Sequence, residues 1–160
     1  FYLNKLEVNQ NPIYYEQHHL GYNYRMPDLL AALGISQSKK LTDFIKIRND
    51  IAINYNNNLV DSGIKLPKIR VEDLSSYHLY VIEVERNRNV VLNSLRKKGI
   101  MASIHYIPIH YHPYYQNLGF KFGDFPNSEK YYKNCISIPI YPMLSLENQE
   151  FVINSILELI

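Results

Sequence analysis

An α+β fold is what this chain predicts, and three observations predict it. Apolar residues between Pro27 and Val60 recur at close to 3.6-residue spacing, the mark of an amphipathic helix. "YHLYVIEVE", Tyr77 to Glu85, alternates and is rich in β-branched and aromatic residues, as a half-buried strand requires. From that strand onward, turn-bounded segments read as strand, helix, strand, helix, helix, strand, helix.

Residues 1–26 hold no clean period; "NQNPIYYEQHHLGYNYR" mixes turn formers with aromatics and reads as a strand or irregular segment leading into a loop. Pro27 suits the first helical position, where its missing N–H costs nothing, and Asp28 sets a negative charge against the positive end of the helix dipole. The stripe of Leu30, Leu33, Leu41, Phe44, Ile51, Tyr55 and Leu59, with polar Gln37 and Arg48 in its gaps, carries one helix to about Val60. At ~1.5 Å per residue that is about 50 Å, long enough to bridge two bodies. Gly34 within it costs about 1 kcal/mol unless something packs closely on the backbone there. "DSGIKLPKI", Asp61 to Ile69, is a turn and a short extended segment, and it sets a domain boundary after residue 60, dividing 1–60 from 61–160.

Beyond the Tyr77–Glu85 strand, a helix starts at Asn87 or Asn89 and is closed by Gly99 as the C′ residue. "MASIHYIPI" is the next strand, ended by Pro108. "HPYYQNLGF" is a short helix with Pro113 in its first turn, and "FPNSEKYYKNCI" another, capped by Asn127 or Ser128. "SIPIYP" is Pro-interrupted and reads as an edge strand. The last helix opens with Ser145 and Asn148 as a weak capping box, and its stripe is Phe151, Ile153, Ile156 and Leu157.

The 160 residues suffice for one ordinary domain that buries roughly two-thirds of its unfolded surface. A single cysteine, Cys135, excludes an intrachain disulfide and a zinc knuckle, and a reducing cytoplasm is the simplest compartment. No leader-like segment opens the chain, and no apolar run reaches the ~18 residues of a membrane span. The formal charge of +2 is spread out, with short clusters at Arg86–Arg88 and Arg96–Lys98, which disfavours nucleic acid as a partner. The first residue is Phe1 and no cap or turn signal precedes it, as if the chain were cut from something longer.

Candidate chemistry concentrates in "IHYIPIHYHPYYQ", Ile104 to Gln116, with three histidines and four tyrosines. His105, His110 and His112 offer three nitrogens to a metal, but their spacing fits neither a helical pair nor a finger, and no cysteine or nearby carboxylate completes the set. Partly buried rings with satisfied nitrogens are a second reading. The third is a pocket wall, where imidazole and phenol groups at a strand end donate to sugar hydroxyls or phosphate oxygens.

A partner for that wall is "GYNYRMPDLLAALGISQSKKL", Gly21 to Leu41. Asn23 and Arg25, two apart in a Gly-led loop before a helix, can present an amide and a guanidinium to phosphate oxygens. The plain alternative is a turn-capping Asn23 and a solvated Arg25. Gly21-Tyr22-Asn23-Tyr24-Arg25-Met26, Asp28, Ala31-Ala32-Leu33-Gly34 and Gln37 closely resemble a segment of the DegT/DnrJ/EryC1/StrS family of pyridoxal-phosphate-dependent sugar aminotransferases. The resemblance continues through Ser76-Tyr77-His78-Leu79-Tyr80, Gly99-Ile100, His105-Tyr106 and Ile138-Pro139-Ile140-Tyr141-Pro142, in order along essentially the whole chain. Residues 105–132 and Tyr14–Gln17 most resemble members that aminate a 4-keto-6-deoxy UDP-sugar toward pseudaminic acid.

The resemblance implies an α/β protein: the C-terminal part of a fold type I aminotransferase, with the end of the large domain and a long connecting helix in 1–60. An α+β small domain with a short, mainly antiparallel sheet follows in 61–160. It implies pyridoxal 5'-phosphate as cofactor, glutamate as amino donor, a nucleotide-sugar substrate, and a homodimer whose sites are completed across the interface. The Schiff-base lysine would fall before Phe1; no lysine present matches it, so no catalytic residue is assigned within the chain, which would be inactive alone. By the same resemblance Asn23 reaches the phosphate of the partner's cofactor, and Arg25 holds anionic groups of cofactor or sugar nucleotide. His105 and Tyr106 lie near the sugar nucleotide, with His110, His112 and Tyr114 as further candidates for that wall. Pro27 stands where many members have Ser or Thr, so the hydroxyl cap is lost; His18 and His19 have no role assigned. A non-catalytic aminotransferase-like module that binds a sugar nucleotide or dimerises is the competing reading.

Overall fold

A computed structural model describes residues 21–22, 24–85 and 87–160. The chain divides into two compact units, Phe1–Lys39 and Lys40–Ile160.

In the first unit, Pro27 is extended (φ −61°, ψ 148°) and precedes helix α1, Asp28–Ser38; the helix therefore starts one residue later than expected. The Pro27 carbonyl accepts the Ala31 N–H at 3.0 Å, closing the first turn. The single helix expected from Pro27 to Val60 does not form. Ser38 donates its hydroxyl to the Ile35 carbonyl at 2.9 Å, a local bond that competes with continued helix. Residues 39–40 are a turn, and α2 starts afresh over Leu41–Leu59. The apolar stripe divides with it: Leu30, Leu33 and Leu41 are more than half exposed, whereas Ile51, Tyr55 and Leu59 are buried. Open space surrounds Gly34, so among the described residues no close packing accounts for it.

The core of the second unit lies between α2, a small sheet and two further helices. Strand β1, Tyr80–Glu83, pairs antiparallel with β2, Cys135–Ile138, in the register Tyr80 to Ile138 and Glu83 to Cys135. The alternation read from the sequence holds: Tyr80, Ile82 and Val84 turn inward. Lys65 bridges Glu83 on the outer side of β1, and Ser103 bridges Ser137 on the outer side of β2. In this two-stranded sheet β2 has one strand neighbour, with the single Ser103 bridge on its other side. The strand ends at Ile138, one residue before Pro139, so the proline interrupts no ladder bond, and all four of its residues are buried. The strand expected over "MASIHYIPI" is reduced to the Ser103 bridge.

Helix α3, Arg88–Lys97, ends in a Schellman motif. The Ile100 N–H reaches the Leu95 carbonyl and the Gly99 N–H the Arg96 carbonyl, both at 3.0 Å, while Gly99 takes φ +82° and Ile100 and Leu95 are buried together. A 3-10 turn over Ile109–Tyr111 leads into α4, Pro113–Asn117, and Gly119 follows at φ +100°. Helix α5, Pro126–Asn134, starts with its proline after Phe125, so Asn127 and Ser128 lie inside the helix and neither caps it. Helix α6, Leu146–Leu157, is capped as read: Ser145 Oγ accepts the Asn148 N–H at 3.2 Å. Its buried stripe is Gln149, Val152, Ile153 and Ile156, while Phe151 and Leu157 stay exposed.

Polar bonds fix the packing. Tyr55 donates to the Pro139 carbonyl at 2.8 Å, and Asn54 to Gln149 at 2.8 Å, which donates in turn to the Leu144 carbonyl at 3.0 Å. Arg48, read only as a gap in the apolar stripe, donates through Nη1 to the carbonyls of Tyr77 at 3.0 Å and Ile140 at 2.9 Å. One guanidinium thus ties α2 to the chain entering β1 and the chain leaving β2. Among the described residues no helix is long and apolar enough to cross a membrane.

Candidate functional site

Ser137 at the third position of β2 places the first candidate. Its backbone exchanges two bonds with Ser103, at 3.0 and 2.8 Å, which fixes the segment beyond Ser103 against β2. His105 lies two residues further on, and its Nδ1 meets Ser137 Oγ at 2.8 Å. This bond sets the ring orientation and leaves Nε2 without a partner among the described residues. Tyr106 packs edge-on against His105 with ring centroids 4.7 Å apart, yet is 72% exposed, so its hydroxyl is open to a ligand.

His110 lies in other surroundings. It is buried, and its Nε2 contacts Glu129 Oε1 at 2.8 Å. The same carboxylate oxygen accepts the Gly123 N–H at 2.7 Å. The His110 bond, with support from the Gly123 and Phe125 N–H groups and Tyr111, holds the Glu129 carboxyl below its ordinary 4.5 despite burial, which opposes the shift. Rings close around the pair: Tyr111 at 4.7 Å and Phe125 at 4.9 Å from His110. Glu129 thereby ties the 3-10 turn and the loop through Gly123 to α5.

His112 precedes α4, and its carbonyl accepts the N–H groups of Tyr115 and Gln116 at 3.0 and 3.1 Å. Both His112 and Tyr114 are exposed. Among the described residues no hydrogen bond or ring contact joins either to His105 or Tyr106. The three histidines are thus dispersed, and no group of three or more His, Cys, Asp or Glu side chains that could hold a metal exists among the described residues.

Asn23 lies outside the described residues, as do His18 and His19. Arg25 is exposed in the first unit, three residues before α1, whose first turn has no side-chain cap. A guanidinium and the N–H groups of a helix N-terminus are each donors that suit a phosphate. Ser137 and Glu129, which orient the two central imidazoles, were not singled out from the sequence; they stand 32 and 19 residues from their partners, and no local motif links them.

Solved structures share this fold. Helicobacter pylori PseC, an aminotransferase involved in the biosynthesis of pseudoaminic acid, superposes with a TM-score of 0.81 at 32% identity, over 89% of this chain and 40% of its own. DesV of S. venezuelae, solved in complex with a ketimine intermediate, gives a TM-score of 0.85 at 26% identity over 97% of this chain and 43% of its own. The architecture is therefore that of the C-terminal part of an aminotransferase. The chain belongs to the DegT/DnrJ/EryC1/StrS aminotransferase family, whose profile matches residues 5–157. Among curated relatives, the UDP-4-amino-4,6-dideoxy-N-acetyl-beta-L-altrosamine transaminase of Helicobacter pylori is 33% identical over 144 residues, covering 87% of this chain. The chain spans about 40% of the length of the curated relatives it matches.

Proposed function

We propose that this chain is the C-terminal part of a pyridoxal-phosphate-dependent transaminase that aminates the C4 keto group of a UDP-linked 4-keto-6-deoxy sugar, with glutamate as donor, toward pseudaminic acid or a related surface sugar. The observation that carries the reading is the 33% identity to the altrosamine transaminase over 87% of the chain. The protein works as a cytoplasmic homodimer. Residues 1–60 are the end of the large domain and the connecting segment that carries α1 and α2, and 61–160 are the small domain.

Pyridoxal phosphate supplies the electron sink for amino transfer. The residues of this chain bind and orient. Asn23 and Arg25 hold the phosphate group of the cofactor, and Arg25 also meets anionic groups of the sugar nucleotide. His105, its ring set by Ser137, presents Nε2 to a sugar hydroxyl or diphosphate oxygen, and the exposed Tyr106 hydroxyl donates beside it. His112 and Tyr114, exposed at the start of α4, extend that surface.

The test of the site is Asn23→Ala in the protein as its gene encodes it. Cofactor retention through gel filtration should fall by about tenfold, one charge-assisted hydrogen bond's worth. Unchanged retention would remove Asn23 from the cofactor site.

A further inference from the structure

One face of α5 carries Pro126, Glu129, Lys130 and Lys133, the i, i+3, i+4, i+7 spacing of a single helical stripe. With Arg88, Tyr111 and Tyr132 these residues line a groove of about 500 Å³. Arg88 is the one buried member, 9% exposed. Its Nε donates to the Lys133 carbonyl at 3.2 Å and its Nη2 to the Tyr132 carbonyl at 3.0 Å, and its guanidinium carbon lies 5.3 Å from the centre of the Tyr132 ring.

Nη1 of Arg88 is buried without any acceptor. No carboxylate comes within ion-pair distance of the guanidinium among the described residues, so this buried charge is met by two backbone carbonyls and the Tyr132 ring but by no anion. A buried cation met only by neutral groups is stabilised further when an anion reaches it. Glu129, the sole acid in the groove, is engaged by His110 and the Gly123 N–H. Lys130 and Lys133 are exposed and form no ion pair among the described residues. The groove therefore gathers three cations and one committed carboxylate.

We propose that this groove binds a phosphate dianion, either free or as the phosphate end of a larger molecule. Lys130 and Lys133 are the point charges a ligand meets first, and Arg88 is the fixed charge behind them. Three cations to one ligand match a dianion better than a single carboxylate. The site uses none of the residues placed at the cofactor or the sugar.

The test is calorimetric titration with inorganic phosphate of the protein as its gene encodes it, loaded with pyridoxal phosphate and then freed of unbound cofactor by gel filtration, so that the cofactor-phosphate site is filled and no free phosphate ester competes for the groove. The wild type should bind phosphate, more weakly as salt rises. Lys130→Gln/Lys133→Gln should weaken binding by about tenfold or more, while cofactor retention stays at the wild-type level. Arg88→Lys, which keeps the charge and loses the fork, should show a smaller loss. UDP bound by the wild type, displaced by phosphate and weakened in the lysine variant, with uridine inert, would make a nucleotide the source; phosphate binding alone would make it the free anion. No phosphate binding by the wild type, or equal affinity in the double lysine variant, would overturn the proposal.

Discussion

Glu129 shows how one side chain can organise a loop. It joins the buried His110 ring to the Gly123 backbone, and its carboxyl is held below 4.5 chiefly by the His110 bond. A carboxylate whose folded value is lowered stabilises the fold fully above its unfolded value and loses that contribution as pH falls through the lowered folded value. The loop around Gly123 should therefore loosen from pH 4.5 downward, read by proteolysis within residues 118–125, and Glu129→Gln should abolish that pH dependence. His110→Ala should cost about 2 kcal/mol in chemical denaturation, because it opens a cavity and leaves Glu129 with one partner fewer. Cys135 makes the opposite case: burial raises its thiol, against a smaller pull from Arg88. Its thiolate is suppressed, and it should resist alkylation in the folded protein and react on unfolding.

The elements divide into those that local chemistry announces and those it does not. Gly99 marked the end of α3 because only a residue free to take φ +82° completes that cap. Its Cβ position is open, so Gly99→Ala carries the backbone penalty alone, about 1 kcal/mol, measurable as a shift in the denaturation midpoint. Ser145 was equally legible, since its bond to Asn148 is local. The break between α1 and α2 was hidden, because Ser38-Lys39-Lys40 contains neither Gly nor Pro and the apolar period runs across it. The span of β2 was hidden too: the strand was read through Pro139, whereas it covers Cys135–Ile138, stops just before that proline and meets Ser103 by a single bridge. Tyr55 draws its value from such distant pairing. Its hydroxyl meets Pro139 84 residues away, and burial raises its pKa, so it remains a neutral donor. Tyr55→Phe should cost about 1 kcal/mol, with the carbonyl of Pro139 left unpaired.

For the whole molecule, order along the chain was more informative than any single residue. The motifs from Gly21 to Pro142 occur in family order, and the family profile and the solved folds follow the same path. The histidine cluster, by contrast, could not be resolved from "IHYIPIHYHPYYQ". Three-dimensional packing assigns His105 to Ser137 and His110 to Glu129 and leaves His112 in solvent. The transaminase reading is tested most directly by incubating the protein encoded by the gene with pyridoxal phosphate, glutamate and a UDP-linked 4-keto-6-deoxy sugar, and following the sugar by mass spectrometry. The account predicts glutamate-dependent replacement of the C4 carbonyl oxygen by an amine, with one 2-oxoglutarate formed per amine. Cofactor-loaded protein that leaves the keto sugar unchanged would contradict it.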